Sequence, residues 1–113
     1  MRGEVVIVPF PFSNLAGSKN RPALILIDLP GPDAVLAAIT STGSDPNAVA
    51  LDAKDFQTGK LAHPSFIHPT KLFTFEKSLI GGVAGNITKT KWKEVISKII
   101  SLLNKESFRY ALP

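Results

Sequence analysis

The sequence predicts a mainly β protein, a small barrel or sandwich of short strands with one amphipathic helix at its C-terminal end. Three observations carry this. Short β-branched and apolar runs alternate with Gly, Pro, Asn and Ser turn signals along residues 3–87. The run Ala23-Leu24-Ile25-Leu26-Ile27 has no polar residue over five positions, which marks a strand buried on both faces or built into a closed barrel. From Trp92 onward the apolar residues Val95, Ile96, Ile99, Ile100, Leu102 and Leu103 recur at three- and four-residue spacing, the period of a helix.

The elements follow in order. Residues 3–12 are β-branched and apolar and form a first strand, which ends where Pro9 and Pro11 remove ladder donors. Phe10 and Phe12 share one face of it, as core or as the apolar part of a protein interface. Residues 13–20 are a loop turning at Gly17. Arg21 to Leu29 is the second strand, Pro30-Gly31-Pro32-Asp33 a turn, and Ala34 to Ile39 the third strand. Ala48 to Leu51 is a short fourth strand, and Gln57 to Pro64 is loop. Residues 65–68 and 71–75 form a strand bent or bulged at Pro69. Leu79 to Ile87, with Gly81, Gly82 and Gly85, is a connection with a short strand at most. The last helix runs about four turns, is capped by Thr88 or Thr90, lays its Trp-Ile-Leu stripe on the sheet and turns Lys91, Lys93 and Lys98 toward its polar side.

At 113 residues the chain is one domain, 1–113, able to bury a single core. It has no cysteine, which excludes disulfides, thiolate metal sites and a cysteine nucleophile and suits a reducing compartment. Glu4, Pro9 and Pro11 break the early apolar stretch, so it does not read as a signal peptide, and no run is long enough to span a membrane. The reading is a complete cytoplasmic chain. Residues 1–56 hold four Lys/Arg and six Asp/Glu, and residues 57–113 hold nine and three, so the charge of +4 lies entirely in the second half. Such asymmetry fits a polyanionic partner, or lysines that solubilise the helix.

Most familiar chemistries find no footing. His63 and His68 are the only histidines. Five apart in a strand they point to opposite faces, and neither has metal-ligand spacing, so no metal site is expected. The glycines at 81, 82 and 85 lack the Gly-Lys-Ser/Thr ending of a phosphate loop, and no nucleophile elbow is present. What remains is Arg21, which opens the second strand behind Pro22, and Thr40, which closes the third at the hydroxyl cluster Thr40-Ser41-Thr42. In an antiparallel hairpin those two ends lie side by side. A guanidinium offers paired donors to phosphoryl oxygens and stays charged, so Arg21 stabilises developing phosphorane charge while a threonine hydroxyl orients it. If the substrate is RNA, its own 2′-OH is the nucleophile and no cofactor is needed.

Gly3-Glu4-Val5-Val6-Ile7-Val8, the polar loop, Arg21-Pro22-Ala23-Leu24-Ile25-Leu26 and Ala37-Ala38-Ile39-Thr40-Ser41 together resemble the MazF/PemK family of toxins. Lys71-Leu72-Phe73-Thr74, Gly85-Asn86-Ile87 and the final helix are similar to the same family, so the resemblance spans nearly the whole chain. It implies an SH3-like β-barrel with a C-terminal helix, a homodimer, and a metal-independent, sequence-specific endoribonuclease acting on single-stranded mRNA. It also implies a cognate antitoxin that blocks the RNA groove and joins the toxin in binding DNA. Arg21 matches the family's catalytic arginine and Thr40 its catalytic threonine. Ser13, Asn14, Ser18, Lys19 and Asn20 of the groove loop, with Ser41, Thr42, Thr70 and Lys71, are the implied RNA contacts. The chain departs from the pattern at His68, where members often carry arginine, and at Thr70, where some carry aspartate. His68 has two readings, a proton-transfer group or a strand residue beside a proline. Against the toxin stand a non-catalytic SH3-like barrel that binds RNA or a peptide, and a dimerisation module.

Overall fold

Apolar runs become seven strands of one antiparallel sheet, with one α-helix packed on it, in a computed structural model that describes residues 1–11 and 18–105. The strands are β1 (Glu4–Pro11), β2 (Ser18–Asp28), β3 (Asp33–Thr40), β4 (Val49–Leu51), β5 (Phe56–Gly59), β6 (Ser65–Glu76) and β7 (Gly82–Ile87), followed by α1 (Lys89–Leu103). Their spatial order is β4-β6-β3-β2-β1-β7-β5. The two edge strands, β4 and β5, are consecutive in the chain, joined only by residues 52–55. So short a link forces the sheet to curl until its edges approach, and the result is a half-open barrel.

β2 lies at the centre, and its apolar run serves both faces by simple alternation. Leu24 and Leu26 join Val5, Ala37, Ile39, Ile67, Ile87 and Val95 in one cluster. Ala23 and Ile25 join Val6, Val8, Ala34 and Leu36 in the other. Each fully buried Leu, Ile or Val contributes on the order of 1.5–3 kcal/mol. Burial ends at Leu26: a register shift against β3 between Ile25 and Ile27 leaves Ile27 49% exposed. Phe10 packs edge-on against Phe73 at 5.0 Å and, with Phe75, borders the second cluster, while Phe12 lies outside the described residues.

β2 and β5 differ from expectation, while the short strand β7 and the bulge of β6 around Pro69 follow it. β2 starts at Ser18, because β1 keeps pairing through Pro11, opposite Ser18. β7 covers β1 only from Glu4 to Ile7, so the prolines stand where β1 has become an edge and a missing donor costs little. Within the expected loop 57–64 lies part of β5, and the glycine-rich stretch is a six-residue strand that pairs with it. Gly59 (φ +75°) and Gly85 make that pairing possible, since a Cβ on Gly85 would lie 2.2 Å from the Thr58 carbonyl. β6 is continuous, and it bulges: Ile39 faces Ile67 and Ala37 faces Leu72, so residues 68–71 stand opposite Ala38 alone.

The Thr88 side chain caps α1 by accepting the Lys91 N–H at 3.1 Å. Trp92, Val95, Ile96 and Ile99 press on the first cluster, and the Arg2 guanidinium lies 5.6 Å over the Trp92 ring. The stripe does not stay covered: Ile100 and Leu103 are exposed, the latter 78%. Lys91 is no polar-face residue either, being 8% exposed and engaged with Asp55 and Glu94.

Candidate functional site

β2 and β3 bring Arg21 and Thr40 together. Ala23 faces Ala38 across the pair, and the same register carried two residues further sets Arg21 opposite Thr40. Both are half-buried and line one groove of about 630 Å³. Lys19 and Asn20 of β2, Ser41 and Thr42 beyond β3, and Lys71 of β6 share that lining, as does His63 from the loop before β6. Three cations and no carboxylate stand among the described lining residues, so the groove attracts anions.

Behind Thr40 lies His68, 3% exposed and lifted out of the ladder by the β6 bulge. Its Nε2 is 2.7 Å from Thr40 Oγ1, and that hydroxyl also lies 2.9 Å from the Thr42 carbonyl. On the other side of the ring, Nδ1 is 3.5 Å from Oδ2 of Asp45, an ion-pair distance longer than a hydrogen bond. Asp45 is itself tied down. Its Oδ1 accepts the Asn47 backbone N–H at 2.9 Å and its Oδ2 the Thr70 hydroxyl at 3.2 Å. The Asn47 N–H, foremost, and then His68 and Thr70 hold its carboxyl below the usual carboxylate range, against a partial burial that works the other way. Asp45 is thus an anion at any working pH.

The expected site residues fall into three groups. Arg21, Thr40, Lys19, Asn20, Ser41, Thr42 and Lys71 meet at the groove. Thr70 is exposed but turned to Asp45 and is not in the lining, and His68 is one layer behind it. Ser13 and Asn14, and the side chain of Ser18, lie outside the described residues. Asp45 and His63 had no local signal. Asp45 sits in a Ser-Asp-Pro-Asn stretch that reads as a turn, 23 residues from His68, and His63 is a lone histidine before a proline. Among the described residues no three His, Cys, Asp or Glu side chains gather as a metal would need, and no helix is long and apolar enough to cross a membrane.

This fold has solved relatives. A mycobacterial endoribonuclease in complex with its cognate antitoxin superposes with a TM-score of 0.71 at 20% identity, over 91% of this chain and 93% of that one. The Mycobacterium tuberculosis toxin MazF-mt6 gives 0.71 at 18% identity over 91% and 98%. MazE–MazF from Deinococcus radiodurans gives 0.71 at 22% over 93% and 96%. No curated relative matches the chain by sequence. The curled sheet with its C-terminal helix is thus the fold of MazF toxins. Residues 1–103 match the PemK-like, MazF-like toxins of type II toxin–antitoxin systems, and the chain belongs to that family.

Proposed function

We propose that this protein is the toxin of a type II pair and a sequence-specific endoribonuclease that cuts single-stranded mRNA without a metal. The observation that carries the reading is the pairing of Arg21 with Thr40 in a cationic groove at the end of the β2–β3 hairpin. In RNA the 2′-OH supplies the nucleophile, so the protein has to align it, hold the phosphate and stabilise charge. Arg21 presents two donors to phosphoryl oxygens and strengthens its hold as the phosphorane gathers charge. The Thr40 hydroxyl, backed by His68, meets the reacting group. Lys19 and Lys71 neutralise flanking phosphates, while Asn20, Ser41 and Thr42 offer hydrogen bonds to base edges.

Family membership supports a cognate antitoxin as partner, as do the antitoxin-bound mycobacterial endoribonuclease and MazE–MazF. An antitoxin that lays acidic or apolar residues in the groove would displace RNA. The half-covered rings of Phe10, Phe73 and Phe75 favour a homodimer that covers them, and mRNA as substrate places the toxin in the cytoplasm. The test is incubation with a long single-stranded RNA in EDTA, with mapping of the cut ends. Discrete cuts leaving 2′,3′-cyclic phosphates, lost in a folded Arg21→Ala variant, are expected. Intact RNA, or a fully active Arg21→Ala, refutes the assignment.

A further inference from the structure

The Thr40 hydroxyl has one proton and two neighbours that compete for it, the Thr42 carbonyl at 2.9 Å and His68 Nε2 at 2.7 Å. What decides between them lies across the ring. Nδ1 is buried, makes no hydrogen bond and stands 3.5 Å from Asp45 Oδ2. A carboxylate only accepts, so a bare ring lone pair turned against it in a dry site costs more than an N–H turned toward it. Asp45 therefore keeps a ring proton on Nδ1. A neutral ring then shows a bare Nε2, a proton acceptor, to Thr40.

We infer that Asp45, His68 and Thr40 form a proton relay into the groove, in which Thr40 takes the 2′-OH proton of the RNA and passes its own to His68. The inference rests on the ribonuclease reading of the groove. As the 2′-oxygen attacks, the P–O2′ bond forms and the P–O5′ bond breaks. The 2′ proton moves to Thr40 Oγ1, the former Thr40 proton moves to Nε2, and the leaving 5′-oxygen takes a proton from water. The imidazolium then has an N–H toward Thr40 and another toward Asp45, whose charge balances it. It returns its proton to solvent through Thr40.

A relay answers a need. An aliphatic hydroxyl is a weak base alone, and Arg21 stays protonated. Of the three relay residues, Thr40 alone touches substrate; His68 and Asp45 are positioning residues acting through it. Among the described residues, Asp45 from the β3–β4 loop is the charged group against the ring. Lys19 and Arg21 from β2, Lys71 from β6 and His63 from the β5–β6 loop stand on the groove side. β4 brings no ionisable group, and Lys91 of α1 is occupied by Asp55 and Glu94.

The first test needs no RNA. Long-range ¹H–¹⁵N correlation on the folded protein should find neutral His68 protonated at Nδ1; the Nε2–H tautomer overturns the relay. The second compares single-turnover cleavage against pH for wild type, His68→Gln and Asp45→Asn, with folding checked by circular dichroism. Gln keeps a hydrogen-bonding amide toward Thr40 but moves no proton. We expect His68→Gln to lower the cleavage rate about 100-fold or more, with little change in RNA affinity and loss of the acid limb. Asp45→Asn should slow cleavage about 10-fold or more, with little change in RNA affinity. A folded His68→Gln with wild-type rate and pH profile overturns the relay while the ribonuclease stands. A folded wild type that does not cut overturns both. If His68→Gln does not fold, Asp45→Asn decides: slowed cleavage at unchanged affinity supports the relay, and a wild-type rate overturns it.

Discussion

Replacing Lys91 with Met tests the least expected contact in the helix. Lys91 is in the first turn, where the helix macrodipole disfavours a cation and no acidic residue helps. It is held instead by Asp55, whose Oδ2 is 3.7 Å from Nζ and whose side chain is 12% exposed. The 2.8 Å bond to Glu94 sits at the surface, Glu94 being 55% exposed, and contributes a few tenths of a kcal/mol. Coulomb's law at 3.7 Å and an effective dielectric of about 20 caps the Asp55 pair at about 4–5 kcal/mol. Met keeps the apolar stem, and Asp55 keeps the Asp52 N–H at 2.8 Å, so Lys91→Met should cost about 2–3 kcal/mol. For 113 residues, at about 2.1 cal/mol/K each, that lowers Tm by roughly 8–13 °C. Urea and thermal melts of Lys91→Met, Asp55→Asn and the double variant close a cycle. Because Asn can still accept from Asp52, the double variant should lie within about 1 kcal/mol of wild type. A Lys91→Met loss below about 0.5 kcal/mol, or an equal loss in the Asp55→Asn background, refutes the reasoning.

Three further outcomes follow from the same geometry. Gly85→Ala drives a Cβ to 2.2 Å from the Thr58 carbonyl and should lower Tm by more than about 10 °C, whereas Gly82→Ala meets nothing within 4 Å and should melt like wild type. Asp45 titrates lower in the folded protein than its ordinary 3.8. Its contribution is therefore present above that pH and lost as pH falls below it, so acid unfolding should be less steep in Asp45→Asn than in wild type. Lys71→Ala should weaken single-stranded RNA binding across sequences and reduce the slope of log K against log salt by about 0.7; an unchanged slope removes Lys71 from the phosphate contacts.

What the sequence made legible depended on how local the cause was. The β2–β3 hairpin follows from an apolar run and a Pro-Gly-Pro turn, and α1 from its period and Thr88. β5 escaped notice because Gln57, Thr58 and Gly59 look like loop; they form a strand only because Gly85 lets β7 approach. Lys91 read as a surface lysine because Asp55, its partner, lies 36 residues away. In the groove, strand ends predicted the meeting of Arg21 with Thr40. His68 behind Thr40 was open to two readings, and its half-buried partner Asp45 comes from a loop folding back on the β6 bulge, which no periodicity records.

The position of β1 has a consequence for the order in which the protein is made. β1 lies between β2 and β7, so one of its neighbours follows at once and the other only at Gly82. β5 likewise waits for β7, its sheet partner. During synthesis the β1–β2–β3 meander forms early, yet two bare backbone edges persist until the last quarter of the chain emerges. Closure is thus a late, non-local event of the kind that folds slowly. A product truncated before β7 carries the groove arginine and threonine on an unsealed sheet, prone to pair with other chains. Proteolytic clearance of such fragments, faster than of the finished chain, is the behaviour that this strand order builds in.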